Sequence, residues 1–255
     1  RAARRIWARW MRDVYGARDE RSCKLRFHTQ TAGVSLTAQQ PEVNIARVAL
    51  QALAAVLGGT QSLHTDSYDE ALALPTDRAA RIALRTQQVI AHETDVPLVA
   101  DPLGGSWFVE ALTDEIEQRA EALIAEIDEL GGAVKAIEAG FQKDAIEKSA
   151  YELAQRIERE EQVVVGVNRY RIDEDLEPEL VRVDDAVRDA QIASLERVRA
   201  ERDDDAVAEA LEVVADTARG DGNLLPPMRE ALARMATIGE VCDALRGLFG
   251  RYQPA

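Results

Sequence analysis

Between residues 20 and 130 the chain repeats one pattern: a short apolar or alternating run, a polar loop, then a helix with apolar residues at helical spacing. A strand followed each time by a helix reaches the next strand by crossing over, so the repeat predicts parallel βα units rather than hairpins. Residues 24–28 alternate polar and apolar and read as the first strand, with a polar loop over 29–40. The helix after it begins at Pro41, where a missing N–H costs nothing, runs to residue 57, and stops at Gly58-Gly59. Residues 61–65, 66–75 and 77–92 repeat strand, loop and helix, with Thr76 as the helix N-cap. Residues 96–100 read as a third strand and 101–106 as its loop. Thr113 is expected to cap the next helix, whose Ile116, Ala120, Leu123, Ile124, Ile127 and Leu130 keep helical spacing up to Gly131-Gly132.

A helix over 1–14, with Ile6, Trp7, Trp10 and Val14 near one face, precedes these units. It opens on Arg1 with no capping residue before it, which predicts that further sequence belongs ahead of it. Each strand ends in a loop rich in hydrogen-bonding groups, as at the active face of a (β/α)8 barrel. The expected fold is therefore α/β, with the last three βα units of a partial TIM barrel over residues 1–131. A mainly helical extension over 132–255 would follow. In it, 133–138 and 144–160 read as helices and 162–167 as a strand-like run ending in Gly166-Val167-Asn168. Residues 184–219 form a long polar helical stretch broken near Asp203, and Thr237-Ile238-Gly239-Glu240 is a capping box opening a last helix through Leu248.

Charge removes some functions. A formal net charge of -15 opposes binding along a nucleic-acid backbone. No apolar run approaches the about 18 residues of a membrane span. The acidic runs Asp173-Glu174-Asp175 and Asp203-Asp204-Asp205 read as solvated surface. Cys23 and Cys242 stand far apart and outside any metal or redox spacing, which fits thiols in a reducing, cytoplasmic compartment.

Three loop clusters carry the polar groups. The first runs from Arg26, Phe27 and His28 through Gln30 and Gly33 to Gln40. The second runs from Gly59 through Gln61, Ser62 and His64, on to Glu70, Leu74 and Pro75; the third is Asp101 to Ser106. Their histidines have no metal spacing, no serine sits in a nucleophile pattern, and no Walker-type glycine loop occurs. Amides, hydroxyls and imidazoles in this mixture suit the binding of a large polar ligand better than hydrolysis. His92, near a helix end, and Trp7, Trp10 and Trp107 read as structural, the tryptophans as packing groups.

These same runs, above all 60–65 followed by 69–75 and the Thr31-Ala32-Gly33 then Ser35-Leu36-Thr37-Ala38-Gln39 segment, resemble the signature segments of the methylmalonyl-CoA mutase family. The resemblance covers nearly the whole chain. It implies an adenosylcobalamin-dependent radical rearrangement of an acyl-CoA, methylmalonyl-CoA to succinyl-CoA first among them. Isobutyryl-, ethylmalonyl- and 2-hydroxyisobutyryl-CoA mutases are the nearest alternatives, and a non-catalytic interaction protein is the alternative from another class. It also implies residue roles. His28 and Gln61, with Arg26 and Ser62 alongside, would bind the acyl-CoA substrate; Gln30, Gly33, Asp66, Glu70 and Leu74 would hold the cofactor. The family usually carries Asn where this chain has Asp66, which places a carboxylate near Glu70. The family's catalytic aromatic-His pair and its cobalamin lower-ligand motif match nothing here, so this stretch alone is expected to be inactive. Its expected partners are a separate or fused cobalamin-binding domain and further subunits of a homo- or hetero-oligomer.

Overall fold

The computed structural model describes residues 1–172, 180–182 and 184–253. The run Asp173-Glu174-Asp175 lies outside the described residues. The chain divides into two compact units, Arg1–Arg182 and Val183–Ala255.

The first unit is built around a two-stranded parallel sheet, β1 (His28–Gln30) and β2 (Ser62–His64), with His28 opposite Ser62, Thr29 opposite Leu63 and Gln30 opposite His64. Helix α2 (Val43–Leu57) makes the crossover between them, and α3 (Asp77–Glu93) follows β2 and packs on α2. This is one complete βαβα unit, as the repeat predicts. The buried positions of α2 are Asn44, Val48 and Ala52, one residue per turn along a single face. Thr76 caps α3 by accepting from the Ala79 N–H at 3.2 Å.

The first strand starts four residues later than its alternation implies and ends two later. Pairing sets the strand: the polar run His28-Thr29-Gln30 lies beside β2, and Phe27 joins the ladder only through Gln61, whose N–H donates to the Phe27 carbonyl at 3.3 Å. The expected third strand is instead a single 3-10 turn, Val96–Leu98. Pro97 has no N–H to give a ladder, and Asp95, in the left-handed region at φ 57°, turns the chain beforehand. The Gln87 side chain donates to the Leu63 carbonyl at 3.2 Å, where a neighbouring strand would bond. Among the described residues the sheet within 1–131 thus has two parallel strands, not three, and a partial barrel is not formed.

Helix α1 (Ala2–Arg9), continued by a π-helical turn over Trp10–Val14, lies against α4 (Trp107–Glu129). The contact is ionic. Arg1 pairs with Asp101 and Glu110, Arg5 with Asp114 and Glu117, and Arg9 with Glu117 and Glu121. Arg4 donates to the Gly58 carbonyl at 2.8 Å and stacks over Phe27, so α1 also closes the C-terminal end of α2. Helix α4 starts at Ser106, not Thr113. Thr113 sits inside it, its hydroxyl donating to the Val109 carbonyl at 2.6 Å, the back-bond that lets a β-branched residue stay in a helix. Trp107, expected to pack, is 93% exposed at the start of α4.

Helices α5 (Ala133–Glu138) and α6 (Phe141–Glu158) complete the helical part of this unit. Residues 162–167 form a tight loop instead of a strand. The Asn168 side chain accepts from the Val164 N–H and donates to the carbonyls of Ile157 and Gln162, each at 2.8 Å, folding the run back on itself. In the second unit, α7 (Asp185–Glu201) and α8 (Asp204–Ala218) are separated at Asp203, which caps α8. Helices α8, α9 (Leu225–Ala233) and α10 (Ile238–Phe249) enclose a core of Val207, Ala210, Val214, Ala231, Ala236 and Val241. The expected capping box at Thr237 and Glu240 is formed. Helix α9 escapes a reading of the sequence because Pro226-Pro227 looks like a break, yet at the first turn of a helix proline is tolerated.

Candidate functional site

The polar side chains gather along β1 and β2, just before them and in the loops that follow. His28 Nδ1 lies 2.7 Å from Ser62 Oγ, across the strand pair. His28 itself is exposed. Gln61 is a staple: its Oε1 accepts from the Phe27 N–H at 2.8 Å and its Nε2 donates to the Gly59 carbonyl at 2.7 Å. Thr29 donates to Thr60, which donates to the Ser62 carbonyl, both at 2.8 Å. Arg26 is exposed two residues before β1.

One strand end further on lies Asp66, 1% exposed. Its Oδ1 accepts from Gln30 Nε2 at 3.0 Å and its Oδ2 from the Thr31 hydroxyl at 2.8 Å. The Asp66 N–H donates to the same Thr31 oxygen at 2.8 Å. His64 Nε2 stands 3.6 Å from Asp66 Oδ1. Gly33 and Glu70 border this group. A Cβ on Gly33 would lie 3.6 Å from both Asp66 Oδ2 and Glu70 Cγ, so the missing side chain leaves a crevice beside an exposed carboxylate. Leu74 is 55% exposed and its backbone bridges Val181.

The loops are held by α2 and α3. Gln51 of α2 accepts from the Ala32 N–H at 2.5 Å and donates to Ser35 at 2.7 Å, fixing the turn that carries Gly33. Asn44, fully buried, accepts from the Thr37 N–H and donates to the carbonyls of Thr37 and Tyr68, joining the loop after β1 to the loop after β2. Asp69 accepts from the N–H and hydroxyl of Thr76, tying the second loop to the start of α3. Arg47 donates to the Val165 carbonyl at 2.7 Å and Gln40 to the Tyr170 carbonyl at 3.0 Å, so the loop around Gly166-Val167-Asn168 straps the first loop from outside. A cavity of about 310 Å³ between the second loop and α3 is reached by His64, Ser67 and Glu70. A larger cleft of about 480 Å³ between α1 and α4 is walled by Arg5, Arg9, Glu117 and Glu121, already paired with one another.

His28 and Ser62 meet directly, and Gln30, Asp66, Gly33 and Glu70 share one crevice; Arg26 and Leu74 stand apart from both groups. Thr31, Asn44 and Ser67 join the site without having been singled out from sequence. Asn44 had a signal: it occupies the position one turn before Val48 and two before Ala52 on an apolar helix face, where a buried amide must have a structural partner.

A parallel βαβα unit with polar side chains and one exposed carboxylate along its strands and loops defines an α/β protein. The methylmalonyl-CoA mutase family model matches residues 1–251, and the chain belongs to that family. It is similar to the methylmalonyl-CoA mutase of Rhizobium meliloti, 48% identical over 254 residues, covering 99% of this chain and 36% of that protein. The probable mitochondrial methylmalonyl-CoA mutase of Caenorhabditis elegans is 47% identical over 253 residues, with 99% and 34% covered. The 2-hydroxyisobutanoyl-CoA mutase large subunit of Aquincola tertiaricarbonis is 45% identical over 255 residues, with 99% and 45% covered. The chain spans between about a third and under half of the length of these curated relatives. No helix of the described residues is long and apolar enough to cross a membrane.

Proposed function

We propose that this chain supplies part of the acyl-CoA- and cofactor-binding face of an adenosylcobalamin-dependent acyl-CoA mutase, an isomerase. The observation that carries the reading is the pair of parallel strands that brings His28 to Ser62 at their start and Gln30 to Asp66 at their C-terminal end, beside Gly33 and Glu70. In this reading residues 1–131 are the last βα units of a (β/α)8 barrel and 132–255 a helical extension.

When bound, adenosylcobalamin supplies the radical that initiates rearrangement. The chain's own residues bind and orient. His28, with Nδ1 held by Ser62, turns Nε2 to the thioester arm; Gln61 keeps Phe27 and Gly59 in place beneath it, and Arg26 faces the anionic part of the substrate. Glu70 accepts ribose hydroxyls, the charge-assisted bonds a carboxylate makes best. Gly33 leaves room for the ligand against Glu70, and Leu74 packs at the rim. Gln30 faces the same ligand, and Asp66 supports it from behind. A Cβ at Gly33 would already touch Asp66 and Glu70 at 3.6 Å, so the glycine keeps the backbone open to a ligand edge beside the Glu70 carboxylate. A cobalamin-binding domain, fused or separate, and oligomeric partners complete the enzyme; the large-subunit name of the Aquincola relative supports assembly from several chains. That same relative favours a branched hydroxyacyl-CoA as the second substrate reading.

The test uses the full-length protein containing this chain. Methylmalonyl-CoA or 2-hydroxyisobutyryl-CoA should isomerise only with adenosylcobalamin present, as read by mass spectrometry. Glu70→Ala should weaken cofactor binding by about tenfold or more, the worth of a charge-assisted hydrogen bond, at unchanged melting temperature because Glu70 is exposed. No turnover of any acyl-CoA by the complete assembly would leave a non-catalytic binding role in its place.

A further inference from the structure

We infer that Asp66 is a positioning residue that sets the hydrogen-bonding polarity of Gln30, so that the site presents an acceptor, Gln30 Oε1, to a donor on its ligand. An ionised carboxylate only accepts, whereas a glutamine amide has a donor end and an acceptor end that can exchange by a half-turn. Gln30 Nε2 lies 3.0 Å from Asp66 Oδ1. The reverse orientation would set Oε1 against Oδ1, two acceptors with no hydrogen between them. The carboxylate therefore chooses the amide orientation. Its own geometry is fixed from the other side: Thr31 Oγ1 accepts the Asp66 N–H, so its single hydroxyl hydrogen is left for Asp66 Oδ2 at 2.8 Å. With 1% exposure Asp66 offers no surface to a ligand and acts through Gln30. Gln30 itself is exposed, at the end of β1 and on the side of Gly33 and Glu70.

The consequence is selectivity for a hydroxyl or amide N–H at this point and against a carbonyl or carboxylate there, because a mismatched pair leaves both acceptors unpaired. An asparagine at position 66 would impose no such choice, since it can give or accept. The identity of the ligand rests on the proposed function; the orientation of Gln30 does not.

The test is a four-variant cycle in the full-length protein: parent, Gln30→Glu, Asp66→Asn, and the double variant. Melting temperature and the dissociation constant for adenosylcobalamin, by calorimetry, are read for each. Gln30→Glu places carboxylate against carboxylate and should lower the melting temperature and weaken binding by about tenfold or more. The double variant moves the negative charge from position 66 to position 30. The amide introduced at 66 can then donate to the carboxylate introduced at 30, which still shows the ligand an acceptor. Both readouts should return to near the parental values. Recovery of melting temperature without recovery of binding would mean that Gln30 donates to the ligand and would overturn the polarity. Indifference of both readouts to Gln30→Glu would overturn the Asp66–Gln30 contact itself. A parent that does not bind adenosylcobalamin sinks the proposed function, and the melting temperatures then still decide the contact.

Discussion

Replacing Glu240 by Gln tests how the second unit is held together. Glu240 does two jobs at once. It closes the capping box at the start of α10, accepting from the Thr237 N–H at 2.7 Å and the Thr237 hydroxyl at 2.8 Å. It also receives both arms of Arg202 at 2.8 and 2.7 Å, across from the end of α7, while Arg202 holds Asp204 at the start of α8. Arg202 first, and then the Thr237 backbone and hydroxyl, hold the Glu240 carboxyl down to about 2 against burial that would raise it. Glutamine keeps one acceptor and loses the charge. A weakened cap costs about 1 kcal/mol. The pair, with Arg202 only 9% exposed but Glu240 partly open, is worth more than a surface ion pair and less than a buried one, about 1 kcal/mol. The loss of about 2 kcal/mol should raise the opening equilibrium of this unit about 30-fold. Hydrogen exchange with mass spectrometry at neutral pH reads it in peptides from α8 to α10, which should lose protection by that factor while those from α2 and α3 do not. Because the folded-state value lies below the usual 4.5, the contribution is fully present above about pH 4.5 and is lost as pH falls through about 2. The gap between parent and variant should therefore close over that window. A change of less than about threefold at neutral pH would refute the account of Glu240 as the joint of this unit.

Two further substitutions probe the scaffold of the candidate site. Asn44→Ala leaves the Thr37 and Tyr68 carbonyls and the Thr37 N–H without their buried partner, and should cost about 3 kcal/mol by urea denaturation of the full-length protein; a loss under about 1 kcal/mol would show that the two loops do not depend on it. Gly166→Ala meets a backbone at φ 82° and puts a Cβ 3.2 Å from Gln40 Nε2. It should cost about 1–2 kcal/mol and speed limited proteolysis within 160–170, where an unchanged cleavage rate would mean that the strap over the first loop is slack.

The local signals that served well are those completed within a few residues. Thr76 and the Thr237–Glu240 box cap their helices, Gly58-Gly59 stops α2, and Asp203 marks the break between α7 and α8. A cap is satisfied by N–H groups two or three residues away, so the chain carries the whole interaction in one short stretch. Thr113 misled because its hydroxyl has two local options, a cap or a back-bond, and Ser106 was placed to take the first. The His28–Ser62 and Gln30–Asp66 groupings could be anticipated only as membership of the same face, through the order of strands and loops and the family resemblance.

The sequence by itself determined that strands alternate with helices, that polar loops follow strands, and which residues such loops offer to a ligand. Tertiary structure alone decided which of those residues meet. Strand limits moved because a strand is defined by its neighbour: His28-Thr29-Gln30 became β1 by lying beside 62–64, and 96–98 became a turn with Pro97 in it and Gln87 on the Leu63 carbonyl. Asp66 reads in the chain as one more acid in a loop. Only its burial against Gln30 and Thr31 makes it the residue that orients a neighbour, because the direction of a hydrogen bond depends on what stands opposite, 35 and 36 residues away.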